Sequence, residues 1–87
     1  MHAVVVRVRI SEEEAAIAAL RDEVVPQVSQ APGFVAGYWT RKGDGGMSML
    51  VFESEDAARA VSERIPETVP KGVTLEDVEV REVVAHA

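Results

Sequence analysis

The feature that most constrains this 87-residue chain is the segment Met49-Leu50-Val51-Phe52, in which four apolar residues are consecutive. A β-strand projects successive side chains to opposite faces of its sheet, so a strand of this composition is apolar on both sides. A sheet with one face in water alternates instead between apolar and polar residues. We therefore expect helices of the same chain to cover one face and a second copy of the chain to cover the other.

The preceding segment has the same two-sided character. Residues Phe34–Lys42 are rich in aromatic and β-branched side chains, which predicts a strand. Strand alternation assigns its apolar residues to both faces, with Phe34, Ala36 and Tyr38 on one and Val35 and Trp39 on the other. The turn residues Gly43-Asp44-Gly45-Gly46 follow, and residues 47–53 form the next strand. The two strands are therefore predicted to form a hairpin.

The first part of the chain predicts a strand followed by a helix. Apolar residues alternate over residues 4–10, and Ser11 then begins a Ser-Glu-Glu-Glu run, so we expect Ser11 and Glu14 to form a capping box. Helical spacing follows at Ile17, Leu20, Val24 and Val28. Pro26 is expected to kink or end this helix near Val25, with one further turn before Ala31-Pro32-Gly33.

The last part of the chain predicts a second helix and a fourth strand. Ser54 is the expected N-cap, and Pro66 and Pro70 are expected to stop the helix. The final strand alternates in two phases, since Val73 and Leu75 are followed by Val78 and Val80. The extra step at Glu76-Asp77 predicts a β-bulge.

These elements give the order βαββαβ, which is the ferredoxin-like plan. We therefore predict one α+β domain over residues 1–87, with a four-stranded antiparallel sheet and both helices on one face. Because the strands are apolar on both sides, two such sheets are predicted to meet face to face in a homodimer.

Composition excludes several classes of function. The net charge of −6 opposes binding to a phosphate backbone, and the third strand lacks the aromatic signature of RNA-recognition domains. Without cysteine the chain has no disulfide, no thiolate nucleophile and no Cys-based zinc site. The apolar runs are too short for a membrane span, and the first residues alternate as a strand rather than forming a secretory signal. We expect a cytoplasmic protein with no membrane or nucleic-acid partner.

Two short motifs flank the predicted helices. Pro32-Gly33-Phe34 follows the first helix, and Phe52-Glu53-Ser54-Glu55-Asp56-Ala57-Ala58-Arg59-Ala60 leads into the second. With the element order, they resemble the dimeric α+β barrel superfamily, in particular its antibiotic biosynthesis monooxygenase-like branch. The resemblance implies homodimers whose sheets form a shared barrel, with a pocket between sheet and helices in each subunit. Members include cofactor-free oxygenases of aromatic polyketides, haem-degrading proteins and proteins without known activity.

The candidate substrate-binding residues are Tyr38, Trp39 and Arg41. Tyr38 and Trp39 are neighbours on a strand and point to opposite faces, so only one of them can line a given pocket. Arg41 could bind an anionic ligand, together with Arg7 and Arg9 if the three share a face. The alternative is that these arginines form salt bridges to acidic residues, namely Glu79, Glu82 or residues of a partner subunit.

No metal site, cofactor or catalytic residue is predicted. Haem-degrading relatives place an Asn on the first strand and a His on the second helix, whereas here the first strand offers Val and Arg and residues 55–65 contain no histidine. His2 and His86 would come close if the first and last strands pair, but two imidazoles without a third ligand make a poor site. No residue stands out as a general base.

Two functions from different classes remain open. The first is a small-molecule enzyme resembling the cofactor-free monooxygenases that act on hydrophobic aromatic compounds. It predicts an apolar pocket of about 300 Å³ or more with a few convergent polar groups. The second is a non-catalytic dimerising or ligand-sensing module, which predicts a packed interior. The residues alone leave open whether the protein is catalytic.

Overall fold

The computed structural model describes residues 1–87 as an antiparallel sheet with helices against one face. The strands are β1 (His2–Ile10), β2 (Phe34–Lys42), β3 (Gly45–Phe52) and β4 (Val73–Glu82), in the spatial order β2-β3-β1-β4. Between β1 and β2, a continuous helical stretch comprises α1 (Glu13–Ala19), a π-helical segment (Leu20–Val24) and α2 (Val25–Ser29). Between β3 and β4 lie α3 (Glu55–Arg64) and a 3₁₀ turn (Ile65–Glu67). The predicted ferredoxin-like plan is confirmed.

The inner face of the sheet, which packs against the helices, carries the buried core. Val4 and Val6 of β1 lie beside Leu50 and Phe52 of β3, and together with Ala58 of α3 they form one buried cluster. Only 9 of the 87 residues are buried in the single chain, and most of the core lies beneath α3. The first helical stretch contributes a single buried residue, Ala16. One half of the helical layer is therefore well packed and the other half is not.

The outer face of the sheet is apolar over β2, β3 and the beginning of β1. Tyr38 pairs with Met49 and Met49 pairs with Val5. Tyr38 is 65% exposed, Met47 49% and Met49 44%. The prediction of two apolar faces holds for these strands but not for β4, which presents charged residues on this side, namely Asp77, Glu79 and Arg81.

Two β-bulges change the register of the edge strands. In β4 the pairing passes from Arg7–Asp77 to Val8–Leu75 and leaves Glu76 as the extra residue, which confirms the predicted bulge. A second bulge, in β2, leaves Val35 unpaired between the positions of Phe34 and Ala36.

The bulge at Val35 corrects the predicted position of Phe34. The Phe34 ring lies against Phe52, edge to face with centroids 5.8 Å apart, so it belongs to the inner face. The prediction that Phe34 shares a face with Tyr38 is wrong because the extra residue reverses the alternation between them.

The predicted capping box at Ser11 is also wrong. The helix begins at Glu13, and its N-cap residue Glu12 makes no side-chain capping bond. Ser11 instead donates from both its backbone N–H (2.8 Å) and its hydroxyl (3.2 Å) to the carbonyl oxygen of Gly72. These bonds tie the end of β1 to the residue before β4. Because Glu12 is the N-cap residue, Ser11 lies one position too early to cap the helix.

The first helical stretch continues past Pro26, which confirms the predicted further turn before Ala31-Pro32-Gly33. Proline has no N–H to donate to the preceding turn. Immediately before it, the backbone N–H of Val25 bonds to the carbonyl of Leu20, five residues back, as in a π-helix. This wider turn lets the helix continue past Pro26 as far as Ser29.

The predicted N-cap of α3 and the predicted hairpin are confirmed, but the turn is shorter than predicted because Gly45 and Gly46 already belong to β3. The Ser54 hydroxyl accepts a hydrogen bond from the backbone N–H of Ala57 at 3.1 Å and so caps α3. The hairpin turns at Gly43-Asp44, where Gly43 has a φ of 61°. A positive φ at the first central residue alone is the pattern of a type II′ turn, which favours glycine there.

Candidate functional site

A cavity of about 310 Å³ lies between the inner face of the sheet and the first helical stretch. Of its 21 lining residues, 15 are hydrophobic. Its floor consists of residues that pair across neighbouring strands of the sheet. One row contains Trp39, Ser48 and Val6, and the next row contains Arg41, Gly46, Val8 and Leu75. Its roof is the apolar stripe of the helical stretch, namely Ala16, Ile17, Leu20, Val24 and Val28. The cavity matches in size and composition the pocket that the enzyme hypothesis predicted.

Small residues on both walls keep this space open. Gly46 is buried in the floor, and a Cβ atom there would lie 2.8 Å from Cγ2 of Val8. Opposite it, the only buried residue of the helical roof is Ala16. Larger side chains at these positions would fill the space, whereas the core under α3 is closed by Leu50 and Phe52.

Trp39, the only tryptophan of the chain, faces the cavity from β2. Its ring lies over Gly37, because a Cβ atom at Gly37 would come within 2.9 Å of both Cη2 and Cζ3 of the indole. Gly37 therefore provides the room that this orientation of the ring requires.

Arg41 lines the cavity two residues further along the same strand. Its Nη1 atom lies 2.6 Å from Oε1 of Glu13 in the first turn of α1. The Arg41 side chain is 40% exposed and that of Glu13 57%, so the pair sits at the edge of the cavity in contact with solvent. This ion pair joins β2 to the helical roof.

Tyr38 does not line the cavity. It lies on the outer face beside Met49, as alternation with Trp39 requires. The structure thus brings Trp39 and Arg41 together on the cavity wall and places the third predicted site residue on the opposite side of the sheet.

The three arginines do not share one site, and their ion-pair partners differ from those predicted. Arg7 contacts Asp77 at 3.0 Å and Arg9 contacts Glu76 at 3.2 Å, rather than Glu79 or Glu82. The reason is the register of β1 with β4, which places Asp77 opposite Arg7, whereas Glu79 lies opposite Val5 and Glu82 opposite His2.

The cavity walls contain hydrogen-bond donors but no side chain suited to act as a base. None of the lining residues is Asp, Glu, His, Lys, Cys or Tyr. The hydroxyls of Thr40 and Thr68 donate to the carbonyls of Met47 and Ile65. The Ser48 hydroxyl and the Trp39 indole N–H make no hydrogen bond within the chain. These two groups and Arg41 are the polar side chains available to a ligand.

Sequence reasoning missed Ser48 and Gly46. The signal was present in the alternation of β3, where residues 46, 48, 50 and 52 share one face. Two small residues followed by Leu50 and Phe52 on the same face indicate that one end of the sheet supports a cavity and the other a packed core.

His2 contacts an acidic residue of α3. Nε2 of His2 lies 3.5 Å from a carboxylate oxygen of Glu55, and His86 lies beyond β4 near the carboxyl terminus. No three His, Cys, Asp or Glu side chains converge as metal ligands. None of the helices has the length and apolar character needed to cross a bilayer.

Comparison with solved structures shows the same fold over almost the whole chain. A dimeric ferredoxin-like protein from an uncultured marine organism superposes with a TM-score of 0.64 at 11% identity, over 100% of this chain and 98% of the other. A candidate antibiotic biosynthesis monooxygenase from Chloroflexus aurantiacus J-10-fl gives 0.65 at 16% identity, over 99% and 96%. The chain has the fold of dimeric ferredoxin-like and antibiotic biosynthesis monooxygenase-like proteins.

A third similar structure contains a bound ligand. It is a Streptomyces coelicolor monooxygenase in complex with nanaomycin D, with a TM-score of 0.55 at 13% identity over 98% of this chain and 92% of the other. No protein-family model matches the chain. No curated protein is significantly similar to it in sequence. At these identities the likeness is one of fold.

Proposed function

We propose that the protein binds a hydrophobic aromatic small molecule in the cavity between its sheet and its first helical stretch. The observation that carries the proposal is the cavity of about 310 Å³, whose walls are mainly aliphatic and include the face of Trp39. Small-molecule sites have this size and character, with a few polar groups that orient the ligand. Trp39, Arg41 and Ser48 are the proposed ligand-contacting residues.

The proposed functional unit is a homodimer that pairs through the outer faces of two sheets. Tyr38 and Met49 form an exposed apolar surface there, on the side away from the cavity. A protein of this size that buries few residues benefits from covering such a surface. A dimeric ferredoxin-like protein of the same fold supports the proposal of a homodimer. Each subunit would then keep its own cavity open to solvent.

The binding proposal is tested with the lone tryptophan as a probe. In a ¹⁵N-labelled protein the indole N–H of Trp39 gives one NMR signal, and titration with 2-naphthol should shift it saturably. Ala16→Phe places a ring in the cavity and should abolish the shift. Ala18→Phe makes the same change at an exposed position of the same helix and should not. Equal shifts in both variants would contradict binding in the cavity.

A second candidate function is the cofactor-free oxygenation of such a ligand. The monooxygenases among the similar structures support it. The lack of an acidic or basic residue other than Arg41 on the walls favours binding without catalysis, because removing a phenol proton requires a base. Oxygen consumption, measured with an oxygen electrode, distinguishes the two functions. With 1,4-naphthohydroquinone as the substrate, the rate of oxygen consumption should exceed the protein-free rate only if the protein is an oxygenase. Ala16→Phe should then return the rate to the protein-free value.

A further inference from the structure

The polar side chains of the cavity that are free to bind a ligand can all donate hydrogen bonds. Trp39 offers an indole N–H, Ser48 a hydroxyl and Arg41 a guanidinium, and no lining side chain is a carboxylate, amide or imidazole. A guanidinium and an indole can only donate hydrogen bonds. An apolar ligand that fits these walls is therefore best matched when it carries oxygen atoms that accept hydrogen bonds.

Arg41 adds a positive charge at the cavity edge, and its partner is held weakly. Glu13 contacts it through a single short ion pair in which both side chains are largely exposed. Such pairs contribute little to stability because solvent screens them. A ligand carboxylate held beside the apolar walls would experience less screening and could bond the planar guanidinium through two oxygens. Glu13 thus occupies the position that an anionic ligand would take.

We infer that the ligand is an aromatic carboxylate, or a similarly anionic oxygen acid, whose charged group displaces Glu13 from Arg41 while its ring system fills the cavity. This inference rests on the proposed function and specifies the chemical class of the ligand. Glu13 competes with the ligand for Arg41 at the edge of the cavity, and Arg41 is the residue that selects charge.

Three matched probes test the inference by the Trp39 indole NMR signal at neutral pH. They are 2-naphthoate, its uncharged methyl ester and 2-naphthol, which share the same bicyclic ring. The wild-type protein should bind 2-naphthoate about tenfold more tightly than the ester, the order expected for a hydrogen bond to a charged group. Arg41→Gln should remove this preference and leave the affinity for the ester and for 2-naphthol within about twofold, since neither probe carries the charge that Arg41 selects.

Two further variants separate charge from packing. Glu13→Gln removes the competitor and should raise the affinity for 2-naphthoate alone. Arg59→Gln, on the exposed surface of α3 and outside the cavity, is the control for net charge and should change none of the three affinities. If Arg41→Gln fails to fold, Arg41→Lys should retain part of the preference, because it keeps the charge without the fork of donors.

The outcomes distinguish the inference from the function on which it rests. If none of the three probes binds, the proposed function itself is wrong. The inference is overturned if the ester and 2-naphthol bind as tightly as 2-naphthoate, or if Arg41→Gln lowers the affinity for all three probes equally. In either case the cavity is a site for neutral ligands.

Discussion

The Arg41 guanidinium reaches Glu13 with Nη1 and Oε1 2.6 Å apart, so a single ion pair connects strand β2 to the first turn of α1 at the edge of the cavity. Elsewhere the first helical stretch faces the sheet across that cavity. The pair is therefore the polar link between the two walls of the proposed site.

This link should be energetically weak, as the displacement of Glu13 by a ligand requires. A double-mutant cycle with Arg41→Gln and Glu13→Gln should give a coupling below about 1 kcal/mol, because both side chains are largely exposed. Urea denaturation of the four proteins provides the measurement. A coupling of several kcal/mol would mean that the pair is a structural clamp.

Gly37→Ala should disturb the orientation of Trp39. The new Cβ atom would lie within 2.9 Å of two indole carbons, so the ring must move. We expect the free energy of unfolding to fall by about 1–3 kcal/mol, as for other overpacked sites, and the tryptophan emission to shift. Gly45→Ala is the control, since its Cβ would meet only the Lys42 carbonyl at 3.5 Å. Unchanged emission in Gly37→Ala would contradict the described ring position.

Ser54→Ala should destabilise the protein by about 1 kcal/mol, because the backbone N–H of Ala57 loses the hydroxyl that it bonds at 3.1 Å. Ser62→Ala is the matched change inside the same helix, where the hydroxyl donates to the Arg59 carbonyl instead. It should leave stability unchanged or slightly raised, since alanine is the better helix former. Thermal unfolding of the two variants side by side makes the comparison.

Met49→Glu should convert the proposed dimer to a monomer. It introduces a charge at the centre of the outer apolar surface, beside Tyr38 and Val5. Sedimentation equilibrium at micromolar concentration should give twice the chain mass for the wild type and the single-chain mass for the variant. Ala60→Glu, on the exposed side of α3, should remain dimeric. A wild-type protein that sediments as a monomer would refute the assembly.

Much of the fold was predictable because residue spacing encodes it directly. The bulge at Glu76 was visible in the sequence because the apolar residues stand at odd-numbered positions before it and at even-numbered positions after it. The bulge at Val35 was not, because apolar residues stand on both sides of it and no change of phase appears in the sequence. The widened helical turn before Pro26 was missed for a related reason: a helix-breaking residue does not reveal whether the helix stops or accommodates it.

The candidate site was predictable only in part. Alternation places Tyr38 and Trp39 on opposite faces, but it does not say which face carries the helices when both faces are apolar. The pairing of Arg41 with Glu13 joins a strand to a distant helix, so it depends on tertiary packing that local spacing does not encode. Ser48 and Gly46 can be assigned to the cavity wall only when the sheet face that they share is known to lie under the first helical stretch.

The protein has a packed core under α3 and a cavity under the first helical stretch. This separation has a consequence for the evolution of such proteins. Substitutions at cavity positions such as Ile17 or Val24 alter the shape of a binding site without contacting the cluster around Leu50 and Phe52. Selection can therefore change which compound is accepted while the scaffold persists. Lineages that share this architecture are free to diverge in chemistry until little common sequence remains.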